Sequence, residues 1–228
     1  MKKIMIFVGA LSLSGTMFAQ KPASADAKFS LEGMINYDFE NGVSWNAPNL
    51  RARYFVNDNI AGRLTLGLGT SNETANFYEN PSVGTGTGSV VDKSLSWSLG
   101  LGGEYHLSGT EKLSPYFSGG LMFGGISDKS TGTDVLGGSY SKGDSFEDKT
   151  SSSMFGVGVG AGFDYYVMKN IYLGLELGLS WMKDTNKGGT FSETIGGTTT
   201  TTETKSPGST SAMNVGGGNL GFRIGWRF

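Results

Sequence analysis

The sequence predicts an all-β chain closed into an eight-stranded antiparallel up-and-down transmembrane β-barrel. Three observations carry that expectation. Short segments alternate large apolar with small or polar residues, the period of a strand with two unlike faces. Five segments show it clearly, and eight strands can be placed in all, an even number. The connections between them alternate short and long, as in barrels that cross a bilayer.

The last segment shows the alternation best. Leu220, Phe222, Ile224, Trp226 and Phe228 share one face, and Asn219, Gly221, Arg223, Gly225 and Arg227 share the other. The first strand is placed at 29–38, with Phe29, Leu31, Ile35 and Tyr37 in step. The second, 49–55, has the weakest pattern. The third, 60–69, aligns Leu64, Leu66 and Leu68, and the fourth, 94–106, aligns Leu95, Trp97, Leu99, Leu101 and Tyr105. The fifth covers 113–124. The sixth, 153–166, alternates Phe155, Val157, Val159, Ala161, Phe163 and Tyr165 with glycines and Asp164. The seventh, 171–181, carries Leu173, Leu175, Leu177 and Leu179, and the eighth runs over 214–228. Connections 56–59, 107–112 and 167–170 are short. Those at 39–48, 70–93, 125–152 and 182–213 are long and rich in Ser, Thr, Gly, Asp and Asn with few apolar anchors, so they need not fold alone, and continuation of some of them as hairpins above the membrane is left open.

An inverted, soluble barrel would enclose every large apolar side chain and leave a glycine face to water. An eight-stranded barrel has too little interior for that, and exposed glycine weakens a strand. The apolar face is therefore expected to meet lipid. Aromatic residues support this in two belts: Tyr54, Tyr105, Tyr165, Trp226 and Phe228 near the short turns, and Tyr37, Trp97, Phe155 and Trp181 near the long loops.

Ahead of the barrel, residues 1–19 read as a secretory signal. Lys2 and Lys3 precede a short apolar run, and Ala19 ends a small-residue stretch. Residues 20–28 read as a short, disordered periplasmic lead-in, and 29–228 as the barrel domain. Removing the signal takes the formal charge from −2 to −4, with no basic surplus to suggest nucleic acid. With no cysteine, disulfides, lipid anchors and thiolate chemistry are absent.

The five arginines all fall within predicted strands, opposite the apolar face, whereas none of the lysines is placed inside one. Arg51, Arg53, Arg63, Arg223 and Arg227 share the inner face with Glu32, Glu104, Asp164 and Glu176. Neighbouring strands offer opposite signs: Arg63 to Glu104, and Arg223 or Arg227 to Glu176 or Glu32. The planar guanidinium suits confined carboxylate pairs, and inward glycines leave room for them. The expected result is an interior charge network acting as a plug, with a pore lining and a catalytic constellation as the other readings.

Other chemistry is poorly supported. Gly156, Gly158 and Gly160 mimic a dinucleotide fingerprint but lie inside one strand. His106 is the sole histidine, so no multi-histidine metal site exists. His106-Leu107-Ser108 is similar to the His-x-Ser of barrel lipid A deacylases, but His106 is expected at the wrong end for the outer leaflet. No cofactor, metal or catalytic residue is assigned. Loop acids such as Asp144, Glu147 and Asp148 read as a solvated rim.

The chain resembles the small eight-stranded outer-membrane barrels: the membrane domain of outer-membrane protein A and the OmpX-like proteins. The resemblance rests on Ser114 to Gly120, the alternating glycines of 156–164, and the ending Gly221 to Phe228. It implies residence in the cell outer membrane, among lipid and lipopolysaccharide. It also implies a monomer, and assembly by the barrel-assembly machinery through Ile224, Trp226 and Phe228. A peptidoglycan-binding domain is not expected beyond Phe228. The functional expectation is a non-enzymatic structural or adhesin-like role carried by four extracellular loops, which could also engage host or cell-surface ligands. A small or gated porin-like channel is the alternative.

Overall fold

The computed structural model describes residues 21–38, 42–44, 50–78, 87–134, 143–215 and 219–228. The chain forms β1 (Phe29–Asp38), β2 (Gly42–Ser44), β3 (Leu50–Phe55), β4 (Ile60–Tyr78), β5 (Thr87–His106), β6 (Leu113–Thr133), β7 (Ser145–Tyr166), β8 (Ile171–Ile195), β9 (Thr198–Thr204), β10 (Gly208–Val215) and β11 (Asn219–Arg227). Pairing runs β1–β3–β4–β5–β6–β7–β8–β11, every pair antiparallel. β11 then pairs β1, with Ser30 opposite Arg227 at one end and Asp38 opposite Asn219 at the other, so the ring closes. β10 and β11 both pair β8 and follow one another along it, so they make one stave. The barrel has eight staves, as the sequence predicts. β2 and β9 are small additions to β1 and β8.

The ordinary burial rule is inverted. Leu66, Leu68, Trp97, Val159, Phe222, Ile224 and Trp226 stand exposed on the outside. The large fully buried side chains include Arg53, Arg227, Glu32, Asp164, His106 and three tyrosines. This arrangement is stable only where the surroundings are hydrocarbon. The belt residues Tyr54, Tyr105, Tyr165, Trp226 and Phe228 at one end, and Trp97 and Phe155 at the other, are all exposed. The side chain of Tyr37 lies outside the described residues.

Strands β4 to β8 do not stop where the apolar alternation stops. β4 ends at Tyr78, β6 at Thr133 and β8 at Ile195, and β5 and β7 begin at Thr87 and Ser145. A bilayer needs about 9–11 residues of tilted strand, and β8 has 25. The excess stands as a sheet beyond the long-loop end, pairing residues 70–78 with 87–95 and 145–150 with 189–194. As a consequence Lys93, Lys129, Lys149 and Lys183 do lie in strands, which corrects the expectation that no lysine would. Above the membrane neither face is buried, so the period-two signal that marks a strand is absent there.

Residues 21–28 of the lead-in close the short-turn end. Lys21 N–H donates to Glu111 O at 2.6 Å, and Ser24 N–H donates to Asp58 Oδ1 at 2.6 Å. Ala27 is buried, and its carbonyl accepts from Arg227 Nε at 2.9 Å. The expected disordered tail is thus a strap joining two turns to the last strand. These partners are remote in sequence, which is why composition alone suggests disorder.

Two expectations follow. The Ser24 hydrogen bond, first among the causes, holds the Asp58 carboxyl below the usual aspartate range. A depressed folded value means the tether is complete above the unfolded value of about 4 and fades as pH falls below it. Exchange protection of the Ser24 amide should drop on acidification from about pH 6 to about pH 3, on either side of that value, and should be absent at both in Asp58→Ala. Glycines facing inward differ from those facing out. A Cβ at Gly174 would sit 2.6 Å from Arg223 Nη2, whereas one at Gly62 would meet nothing within 4 Å. Gly174→Ala should destabilise the barrel by about 1–3 kcal/mol through overpacking, and Gly62→Ala should leave its unfolding in detergent unchanged.

Candidate functional site

The inner face of the staves positions the charged side chains. Glu32 on β1, Arg51 and Arg53 on β3, Arg63 on β4, Glu104 on β5, Asp164 on β7, Glu176 on β8 and Arg223 on β11 share the inward parity. The barrel brings them into one cluster. Arg53 is its hub: Nη2 lies 2.8 Å from both Glu32 Oε1 and Asp164 Oδ2, and Nη1 lies 2.8 Å from Glu104 Oε2. Arg223 bridges Glu32 and Asp164 at 3.1 Å each. Arg51 and Arg63 both hold Glu176, at 2.9 and 3.0 Å, and Arg63 stands 3.7 Å from Glu104. Four guanidiniums meet four carboxylates, so the cluster is neutral as a whole.

Arg227 departs from the expected pairing. No carboxylate lies within ion-pair distance of it among the described residues. It caps the Ala27 carbonyl instead and packs over the Phe55 ring at 3.6 Å. Its position at the end of β11 puts it beside the strap rather than among the acids.

Sequence reasoning missed the inward tyrosines. Tyr116 Oη donates to Glu176 Oε2 at 2.8 Å and also meets Arg223 Nη2. Tyr172 Oη donates to Glu32 Oε1 at 2.7 Å, and the Arg53 guanidinium lies 4.9 Å from its ring centre. Their parity was readable, since Tyr116 is in step with Ser114 and Ser118, and Tyr172 with Glu176. Their neighbours Phe117 and Leu173 point to lipid and dominate the pattern of those strands. Gly225 lies directly beneath the Tyr172 ring, and Gly174 beneath the Arg223 guanidinium.

His106 joins the cluster at the short-turn end. Its Nε2 lies 3.1 Å from Glu104 Oε2 and its Nδ1 2.9 Å from Ser114 Oγ. The partner is Ser114, not the adjacent Ser108. A Ser–His–Glu row is the order of an acyl-transfer site. Here His106 and Ser114 are each 1% exposed, so the hydroxyl is enclosed by protein, and the row continues from Glu104 to Arg53.

A family model described as outer membrane protein beta-barrel domain matches residues 8–228. The chain belongs to the outer-membrane β-barrel family. Its place is the outer membrane, and barrels of this kind keep their short turns in the periplasm. Three solved structures are similar at low identity. A major outer membrane protein from Thermus thermophilus is 16% identical, covering 89% of this chain and 99% of that one at a TM-score of 0.44. The attachment invasion locus protein Ail of Yersinia pestis is 13% identical, with coverage of 89% and 97% and a TM-score of 0.35. AlkL, determined in DMPC bilayers, is 17% identical, with coverage of 95% and 94% and a TM-score of 0.27. No curated protein matches the chain.

On the projecting sheet of this outer-membrane barrel, charge is partly sorted by face, with Glu147 and Glu203 standing on the lysine side. Glu73, Asp92, Asp128, Asp148 and Asp184 continue the inward parity, and Lys93, Lys129, Lys149 and Lys183 the outward one. Lys93 is directly opposite Lys129, and Lys129 directly opposite Lys149. Glu147 sits between the last two, 2.5 Å from Lys129 and bonded to Lys149. Those bonds, Lys129 first, hold its carboxyl below the usual glutamate range.

Removing one member of a buried charge cluster leaves the others unpaired, at about 3–5 kcal/mol. Arg53→Met and Arg223→Met should each lower barrel stability by that order, read as urea unfolding in detergent or lipid. Arg63→Met should cost clearly less, because its side chain is 15% exposed and water can take over part of its role. Equal effects for all three would contradict a hub at Arg53.

Proposed function

We propose that this outer-membrane protein is a closed, non-enzymatic barrel that anchors a projecting sheet, with a structural and surface-interaction, adhesin-like role. The neutral charge cluster, with its ring of tyrosines, acts as a plug. The single observation that carries the reading is the length of β4 to β8 beyond the bilayer. Apart from the stacked Phe146 and Phe191 rings those segments bury little, yet they are paired strands. Like charges directly opposed on adjacent strands cost stability, as at Glu73 and Asp92 or Lys93 and Lys129. An oppositely charged partner at the cell surface would offset that cost. Lipid and lipopolysaccharide surround the barrel, and assembly through Ile224, Trp226 and Phe228 at its end belongs to the same reading.

The test joins two measurements. The refolded chain in a planar bilayer should pass no stepwise current, with folding verified by gel mobility before and after boiling. Replacing residues 70–93 and 125–152 by short turns should leave that folded barrel intact while reducing attachment of expressing cells to polyanion- or polycation-coated wells. Reproducible conductance steps would replace this reading by the small or gated channel. Unchanged attachment after trimming would remove the surface role.

A further inference from the structure

Above the charge cluster the lumen is not filled. A cavity of about 250 Å³ lies there, with Arg51 and Arg63 at its base and Met34, Met122 and Met182 on its walls. It adjoins a wider space of about 580 Å³, with Ser98 on both and Met154, Ile126 and Asp184 on the second. Serine and glycine line much of the rest.

Two features are unexpected in a water-filled lumen. The first is methionine. The lipid face is built from Leu, Val, Ile and aromatics, whereas Met34, Met122, Met154 and Met182 all carry the inward parity. Of the remaining methionines after residue 20, Met168 is in a turn and Met213 points outward. Met122 is 38% exposed and Ile126 45% exposed, both toward the lumen. Exposed apolar surface in a polar channel is costly, and flexible thioethers adapt to apolar ligands of varied shape. Gly156, directly between Met122 and Met182 in the register, leaves space for both to lean into the cavity.

The second is the base. Arg51 and Arg63 share one carboxylate, Glu176, through their Nη1 atoms. No hydrogen bond to a described residue engages the Nη2 of either. Arg51, nearly buried, and Arg63, whose side chain is 15% exposed, both line the cavity, whereas their shared Glu176 is not part of its lining. A planar guanidinium edge is suited to a carboxylate.

We infer that the outer half of the lumen is a binding vestibule for a small amphipathic carboxylate. Its head would sit on Arg51 and Arg63, and its apolar tail along Met122, Met182 and Ile126. Met122 and Ile126 are separated by about 13 Å of strand along β6, which suits a short acyl chain. The site is blind, because the charge cluster closes it below, so it captures rather than conducts.

The methionines provide the test. The full mature chain, labelled at the methionine methyl groups and placed in lipid nanodiscs, is titrated with hexanoate, hexanol and acetate. Hexanoate should give saturable shifts at Met34, Met122 and Met182 while Met213, on the lipid face, stays still. Its affinity should exceed that of hexanol and of acetate by roughly tenfold, the scale of one charge-assisted contact. Ser98→Phe, which fills the cavity without touching the charge cluster, should abolish the shifts. Arg63→Gln should weaken hexanoate to the level of hexanol. Equal shifts at Met213 would mean partition into lipid, and would overturn the inference. So would hexanol binding as tightly as hexanoate, shifts that persist in Ser98→Phe, or no saturable shift at all.

Discussion

Closure of the backbone ring is the constraint on which everything else depends. In hydrocarbon, an unpaired N–H or C=O costs several kcal/mol. The edges of β1 and β11 must therefore find one another, and they do so over nine consecutive residue pairs. Once eight staves close, the interior is narrow and must be filled. The lipid side takes the large apolar residues, so polar ones fill the inside. They can be charged only if they are matched. The four arginines and four acids of the cluster are the solution to that packing problem, and inward glycines such as Gly174 and Gly225 give the long side chains space.

The cluster has a direction. Toward the periplasmic end it is sealed by His106, Ser114, Phe55, Tyr166 and the strap of residues 21–28. Toward the outside, Arg63 and Glu176 keep 15% of their side-chain surface, and the lumen opens into the methionine-lined space. A buried ion cluster is weak evidence for stability on its own account. Here its effect is register, because Arg53 makes close contact with carboxylates on three separate staves at once. A slip of one residue along β3 would turn Arg53 toward lipid.

Much of the site was legible because two independent signals agreed. Leucines and aromatics set the parity of each strand, and arginines and acids fell on the opposite parity without having been used to define it. What stayed hidden has physical causes. Tyr116 and Tyr172 are amphipathic, so residue type alone does not tell whether the ring faces lipid or the cluster. The Ser114 partner of His106 is eight residues away, on the next strand. Arg227 looked like a network member because parity reports face and not depth.

The sequence by itself determined the strand number, the faces and the membrane environment. Those depend on period two and on the contrast between lipid and a confined polar interior, both local along the chain. Only the tertiary structure decided which guanidinium meets which carboxylate, how far β4 to β8 project, and where the lumen is left open. Partner choice depends on the stagger between staves. The projecting strands carry no buried face to write a pattern, and a cavity is the space that side chains from many staves fail to fill together.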